Sequence, residues 1–202
     1  MHKYLPQNAK IILDAGCGEG AFASTIKKER GCEVWGIEIN PDAAEIARQR
    51  LDSVYCGDLN EQILNMPSRK FDAIFFNDVL EHLPKPETAL TEAGRLLKPG
   101  GVVIASIPNM RYFPVLMKLV FKKDWKYIDS GILDKTHLRF FTRKSACRLF
   151  TDSGYDIISS EGLNSLPPKD IIPLNLLTLG YFNDTRYMQF AVVAQLRSNG
   201  VS

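Results

Sequence analysis

No stretch of this chain is apolar for long enough to cross a bilayer. Its longest apolar stretches, near Tyr112–Phe121 and Ile171–Phe182, are short and interrupted, whereas a helical span needs about 20 residues. The opening Met1-His2-Lys3-Tyr4-Leu5-Pro6 has no apolar core of the kind a secretory signal carries. Cysteine is sparse: Cys17, Cys32, Cys56 and Cys147 lie far apart with no C-x-x-C pair. That spacing argues against a zinc site and against a disulfide framework, so no metal is expected. A reducing cytoplasmic setting is the natural compartment for such thiols. Charge of one sign is also lacking. A net charge of +2 gives no general attraction to nucleic acid, and none is expected as a partner. Histidine occurs only three times, so proton chemistry near neutral pH falls on very few side chains. Internal repeats and low-complexity tracts are absent. With 45% hydrophobic residues in 202, the chain can bury one good core, and a single domain over 1–202 is expected.

What is present begins with Ile11-Ile12-Leu13-Asp14-Ala15-Gly16-Cys17-Gly18-Glu19-Gly20. An apolar run ends in a carboxylate and breaks into three alternating glycines, the pattern of a buried strand entering a tight turn before a helix. Glycine permits positive φ there and lets a ligand approach the backbone. Gly16, Gly18 and Ala21 also fit the looser dinucleotide fingerprint, with Glu38 placed to hold a ribose. Asp14 separates the two cofactor classes. A pyrophosphate beside it would meet a like charge, a repulsion of about 4 kcal/mol at ~4 Å and an effective dielectric of 20. An ammonium and a sulfonium would be attracted instead. The turn therefore reads as a site for S-adenosylmethionine rather than NAD.

Further motifs follow in order. Val34-Trp35-Gly36-Ile37-Glu38-Ile39, Cys56-Gly57-Asp58-Leu59, Phe71 to Leu83 and Leu96-Leu97-Lys98-Pro99-Gly100-Gly101 succeed the glycine turn at regular intervals. Together, residues 10–107 resemble a class I S-adenosylmethionine-dependent methyltransferase. That resemblance implies an enzyme using S-adenosylmethionine and releasing S-adenosylhomocysteine. It implies cofactor contacts from Asp14, Gly16, Cys17, Gly18, Gly20 and Phe22 in and after the turn. Glu38 and Ile39 would follow the second strand, Gly57, Asp58 and Leu59 the third, and Asn77, Asp78 and His82 the fourth.

Strands are expected near Lys10–Asp14, Glu33–Glu38, Ser53–Cys56, Phe71–Asn77, Gly101–Ile107, Tyr155–Gly162 and Arg186–Leu196. Helices are expected near Gly20–Lys28, Pro41–Arg50, Pro86–Leu97 and Thr142–Ser153. Asn40 is placed to cap the second helix, with Pro41 in its first turn. This order predicts an α/β fold: a doubly wound, mostly parallel seven-stranded sheet with helices on both faces and a site at the strands' carboxyl ends. An antiparallel last strand is implied by the resemblance alone.

Two long connections, 108–141 and 163–185, are the expected substrate or lid segments within the domain, because ordinary connections run ~4 to 6 residues. The first holds an amphipathic helix candidate, Val115–Lys123, with Lys118, Lys122, Lys123 and Lys126 along a basic edge. Its apolar and basic content permits weak contact with an anionic membrane surface. Ile132 to Thr142 resembles a branch of methyltransferases found with polysaccharide and glycosyltransferase functions, and Leu174 to Phe182 looks like the same branch. A glycan or other small-molecule acceptor is the implied partner; the oligomeric state is not indicated.

Methyl transfer needs an aligned nucleophile and exclusion of water. A hydroxyl acceptor also gains from a base near neutral pKa. His137 and His82 are the candidate catalytic residues. Asp134 is expected to orient His137, and Asn109, Asp134, His137 and Arg139 to contact the acceptor. Asp134 and Arg139 are alternatively a structural ion pair. Asn77-Asp78-Val79-Leu80 lacks the Asn/Asp-Pro-Pro-aromatic motif of enzymes that methylate base or glutamine nitrogens. O-methylation of a sugar, glycan or other small molecule is the leading reading, implied chiefly by the polysaccharide-linked resemblance, with N- or carboxyl-methylation of a small metabolite, or a non-catalytic cofactor-binding partner protein, as alternatives.

Overall fold

A computed structural model of the chain describes residues 1–167 and 172–197. Seven strands form one sheet in the order β3-β2-β1-β4-β5-β7-β6. They are β1 (Ile11–Ala15), β2 (Glu33–Glu38), β3 (Ser53–Cys56), β4 (Phe71–Asn77), β5 (Leu97–Pro108), β6 (Tyr155–Ser165) and β7 (Tyr187–Leu196). β1 to β5 pair in parallel; β7 runs antiparallel to both β5 and β6. The helices are α1 (Ala21–Arg30), α2 (Pro41–Arg48), α3 (Leu59–Gln62), α4 (Pro86–Leu96), α5 (Phe113–Lys122), α6 (Arg143–Asp152) and α7 (Ile172–Leu177).

The period-two rule explains how both faces are covered. In β4, Ile74 and Phe76 enter one core with Leu90, Phe150 and Tyr155, while Ala73 and Phe75 enter the other with Ala23 and Ile26. Local signals act as expected at the helix ends. Asn40 Oδ1 accepts from Asp42 and Ala43 N–H, and Thr142 forms a capping box with Ser145.

Differences from the sequence reading are confined to edges and connections. β5 takes in the Lys98–Gly101 turn and β6 runs on to Ser165. The α5 helix begins at Phe113, two residues before the expected start, with Pro114 in its first turn. Residues 168–171 of the 163–185 segment lie outside the described residues. Among the described residues, no helix is long and apolar enough to cross a membrane.

Candidate active site

The glycine turn joins the end of β1 to α1. Gly16, Gly18 and Gly20 all have positive φ, at 88°, 54° and 75°. A Cβ at Gly16 would lie 2.5 Å from Val79 Cγ2, so the turn needs both the conformation and the absent side chain. Glu38, at the end of β2, clasps this turn. Its Oε2 accepts from Gly18 N–H and its Oε1 from Asn40 N–H, both at 2.8 Å. Gly16 and Cys17 N–H bond to the Ile37 carbonyl.

Beside the turn lies a cavity of about 300 Å³ whose lining includes Gly16, Glu38, Ile39, Gly57, Asp58, Leu59, Asp78 and His82. Asp58 Oδ1 caps α3 through Asn60 N–H. Under the turn, Asp14 is 2% exposed, and its Oδ1 and both side-chain polar atoms of Asn77 lack hydrogen-bond partners. Burial, and then the charge of Glu38, push the Asp14 carboxyl up to about 7. Unpartnered buried groups of this kind are costly and call for a ligand. A cationic ligand reaching the turn suits two neighbouring carboxylates.

Three residues expected at this site do other work. Phe22 packs between His2 and Phe75, at centroid distances of 4.8 and 5.1 Å, because the first turn of α1 directs it onto the sheet. Gly20 makes room for Ala47 of α2 and for Leu51 just beyond that helix. Cys17 turns its thiol into the core against Gly36, where burial pushes the thiol up to about 12 and leaves it inert.

A second cavity, of about 210 Å³, shares Asp78 and His82 with the first. Glu81, Asp134, His137, Met188 and Gln189 also line it. Asp78 follows β4 at φ 53°, an unusual conformation for a non-glycine residue and one found at functional sites. Its N–H is held by the Ser106 carbonyl and hydroxyl, and its Oδ1 accepts from Gln189.

The two histidine rings meet edge to face at 4.7 Å between centroids. His137 Nδ1 lies 3.1 Å from the Ile132 carbonyl oxygen. A carbonyl only accepts, so this bond puts the proton on Nδ1 and leaves the Nε2 lone pair free. Burial holds the His137 imidazole below its ordinary value. Nε2 faces Glu81 Oε1 at 3.9 Å. Glu81 is 1% exposed and both its oxygens lack hydrogen-bond partners; burial pushes its carboxyl up to about 8. His82 Nδ1 is held by the Thr136 carbonyl at 3.3 Å and hydroxyl at 3.1 Å. Ligand atoms of Glu81, His82 and His137 lie within 4.8 Å of one another, close enough for a metal ion to be held between them.

The expected acceptor residues divide. Asp134 and His137 line this cavity, but Asp134 does not orient the ring: its Oδ1 is taken by the N–H and hydroxyl of Thr136. Asn109 is fully buried and its amide is spent on the Asp184 and Tyr187 carbonyls and on Arg111 N–H. Arg139 is exposed outside both cavities and donates to the Pro84 carbonyl, without pairing to Asp134. The residue missed in the sequence is Glu81, whose carbonyl also accepts from Leu138 and Arg139 N–H and so holds the His137 segment in place. A larger cleft of about 1010 Å³, between α6 and the β6–β7 edge, touches neither the glycine turn nor the histidines.

The sequence profile of a family described as a methyltransferase domain matches residues 2–160. A ubiquinone biosynthesis O-methyltransferase of Aeromonas salmonicida is 28% identical over 185 residues, covering 89% of this chain and 74% of that protein. The enzyme of the same description from Alkalilimnicola ehrlichii is 37% identical over 103 residues, 48% of this chain and 41% of that protein. Among solved structures, an S-adenosylmethionine-dependent methyltransferase from Archaeoglobus fulgidus superimposes with a TM-score of 0.73 at 19% identity, covering 95% of this chain and 88% of that one.

Proposed function

The chain belongs to the S-adenosylmethionine-dependent methyltransferases, and we propose that it methylates a hydroxyl oxygen of a small-molecule acceptor. The observation that carries this reading is the pair of cavities joined at Asp78 and His82, with an imidazole lone pair in the second. S-adenosylmethionine, when bound, supplies an electrophilic methyl group on a sulfonium.

The residues fit that group. Glu38 and the glycine turn would hold its ribose side, Ile39, Asp58 and Leu59 its adenine side, and Asp14 with Asn77 its amino-acid end. The acceptor would enter the cavity bounded by Asp78, Glu81, His82 and His137. There His137 Nε2 takes the hydroxyl proton as general base, and the Glu81 carboxyl, neutral at rest, supplies a polar neighbour 3.9 Å from the imidazolium that forms. Asp134 contributes through Thr136, which fixes His82. Neither carboxyl nor imidazole reaches bulk water freely, so the proton stays at the site during transfer.

The two ubiquinone-pathway relatives support an oxygen acceptor through the description O-methyltransferase. Neither carries a glycan description, so the glycan branch rests on the 132–142 and 174–182 motifs alone. A panel of soluble phenols, vicinal diols and sugars, incubated with the enzyme and methyl-labelled cofactor, tests the proposal. Label transfer to one of the hydroxyl compounds is expected. Transfer only to amines or carboxylates would overturn it.

A further inference from the structure

We propose that the surface carrying α5 and the 175–182 segment docks on an anionic lipid bilayer. The helix α5 reads Phe113-Pro114-Val115-Leu116-Met117-Lys118-Leu119-Val120-Phe121-Lys122, and none of its residues is buried. A helix this apolar in a globular protein ordinarily turns one face into a core. Here Val120 and Phe121 stand 59% and 75% exposed, and Leu177 and Leu179 of the second segment 83% and 96%. Clusters of exposed large apolar side chains mark interaction surfaces.

Both segments leave the sheet at the same end. β5 closes at Pro108, which pairs with Gln189 near the start of β7. The α5 helix follows that end of β5, and α7 with its loop precedes that end of β7. Arg111 ties the two together: its guanidinium pairs with Asp184 at 2.8 Å and lies 5.5 Å from the Tyr181 ring. Asn77, at the end of β4, pairs with Ser106 two residues before the same terminus of β5. The exposed apolar segments therefore flank the end of the sheet that bears the two cavities.

Charge identifies the occupant. Lys118, Lys122, Lys123 and Lys126 are exposed, and among the described residues none has an ion pair; Asp124 is the only acidic residue between 118 and 126. An isologous second copy would bury the apolar residues but bring these lysines against their own counterparts. Acidic phospholipid headgroups complement the lysines while the acyl region accepts Val120 and Phe121, the division seen in interfacial helices. Ten residues of helix are about 15 Å long, so α5 lies on the bilayer and does not span it. Docked in this way, the enzyme would meet an acceptor that is amphiphilic, with its hydroxyl at the headgroup level.

Co-sedimentation with vesicles of phosphatidylcholine, with and without phosphatidylglycerol, tests this. Binding only to the anionic vesicles, weakening as salt rises, is expected. The triple variant Lys122→Glu, Lys123→Glu, Lys126→Glu, and separately Phe121→Ser, should each weaken binding at least tenfold. Both should keep their melting temperature and their affinity for S-adenosylhomocysteine, which separates docking from folding and from the cofactor site. Absence of binding at low salt, equal binding to neutral vesicles, or wild-type binding by both variants would overturn the proposal. So would a concentration-dependent dimer in sedimentation velocity that Phe121→Ser dissolves. None of these outcomes depends on which acceptor is methylated.

Discussion

His137 Nε2 faces Glu81 Oε1 at 3.9 Å, in a pocket where the carboxylate has no hydrogen-bond partner of its own. The pair joins the loop after β4 to a segment beyond β5, and the Ile132 carbonyl, 3.1 Å from His137 Nδ1, leaves Nε2 as the nitrogen that faces Glu81. Burial disfavours the charged form of both members, so the resting site holds a neutral imidazole able to accept a proton.

His137→Ala should lower kcat by roughly 10²–10⁴ while leaving S-adenosylhomocysteine affinity within about twofold. His82 lines both cavities, so His82→Ala should weaken cofactor affinity more and kcat less. In the wild type, kcat should hold as pH falls to about 6.5, the ordinary imidazole value, and drop only below it. Steady-state kinetics with calorimetry on both variants checks the assignment; the reverse pattern would exchange the two roles.

Glu38→Ala removes an acceptor from Gly18 N–H and, in the proposed binding mode, a ligand for ribose hydroxyls. Each charge-assisted bond is worth about 1.5–3 kcal/mol. Affinity for S-adenosylhomocysteine should fall at least tenfold by calorimetry, with the circular dichroism spectrum unchanged. Unaltered affinity would place the ribose elsewhere.

The two buried carboxyls set a pH dependence on stability. Asp14 rises from 3.8 to about 7 and Glu81 from 4.5 to about 8 on folding. The folded chain therefore holds extra protons between about pH 4 and 8, and its stability falls as pH rises through that window. Each carboxyl contributes a slope of up to about 1.4 kcal/mol per pH unit. Melting temperatures of the cofactor-free protein should decline from pH 5 to pH 8. Glu81→Gln should flatten that decline and lower kcat together. A melting temperature that rises over this range would contradict the burial argument.

Chelation separates the two ways the Glu81–His82–His137 cluster can act on a hydroxyl. With His137 as base, prolonged dialysis against EDTA should leave kcat unchanged. Loss of activity with recovery on adding a divalent cation would transfer the proton-releasing role to a bound metal.

The sheet and its turn were legible because the signals are local. Gly16 and Gly18 occupy positions that demand positive φ, and the alternating apolar residues of β4 can only be buried on both faces. Side-chain direction was less legible. Phe22 sits in a glycine-rich motif but falls on the core side of α1, and Asn109 looks like a polar loop residue yet spends its amide on backbone groups from β7 and the turn before it. Glu81 was missed for a related reason. Within Leu80-Glu81-His82-Leu83 nothing local distinguishes a buried carboxylate from a solvated one, and its partner is supplied by a segment folded over it from beyond β5.

Arrival of the methyl group on a hydroxyl oxygen is the central claim. Once an acceptor has been found, carbon NMR of the product made with ¹³C-methyl-labelled S-adenosylmethionine reads the newly bonded atom directly. A methoxyl carbon on an ether oxygen is predicted, formed by the wild type and strongly diminished with His137→Ala. An N-methyl or methyl-ester carbon, or a methoxyl product formed equally well without His137, would contradict it.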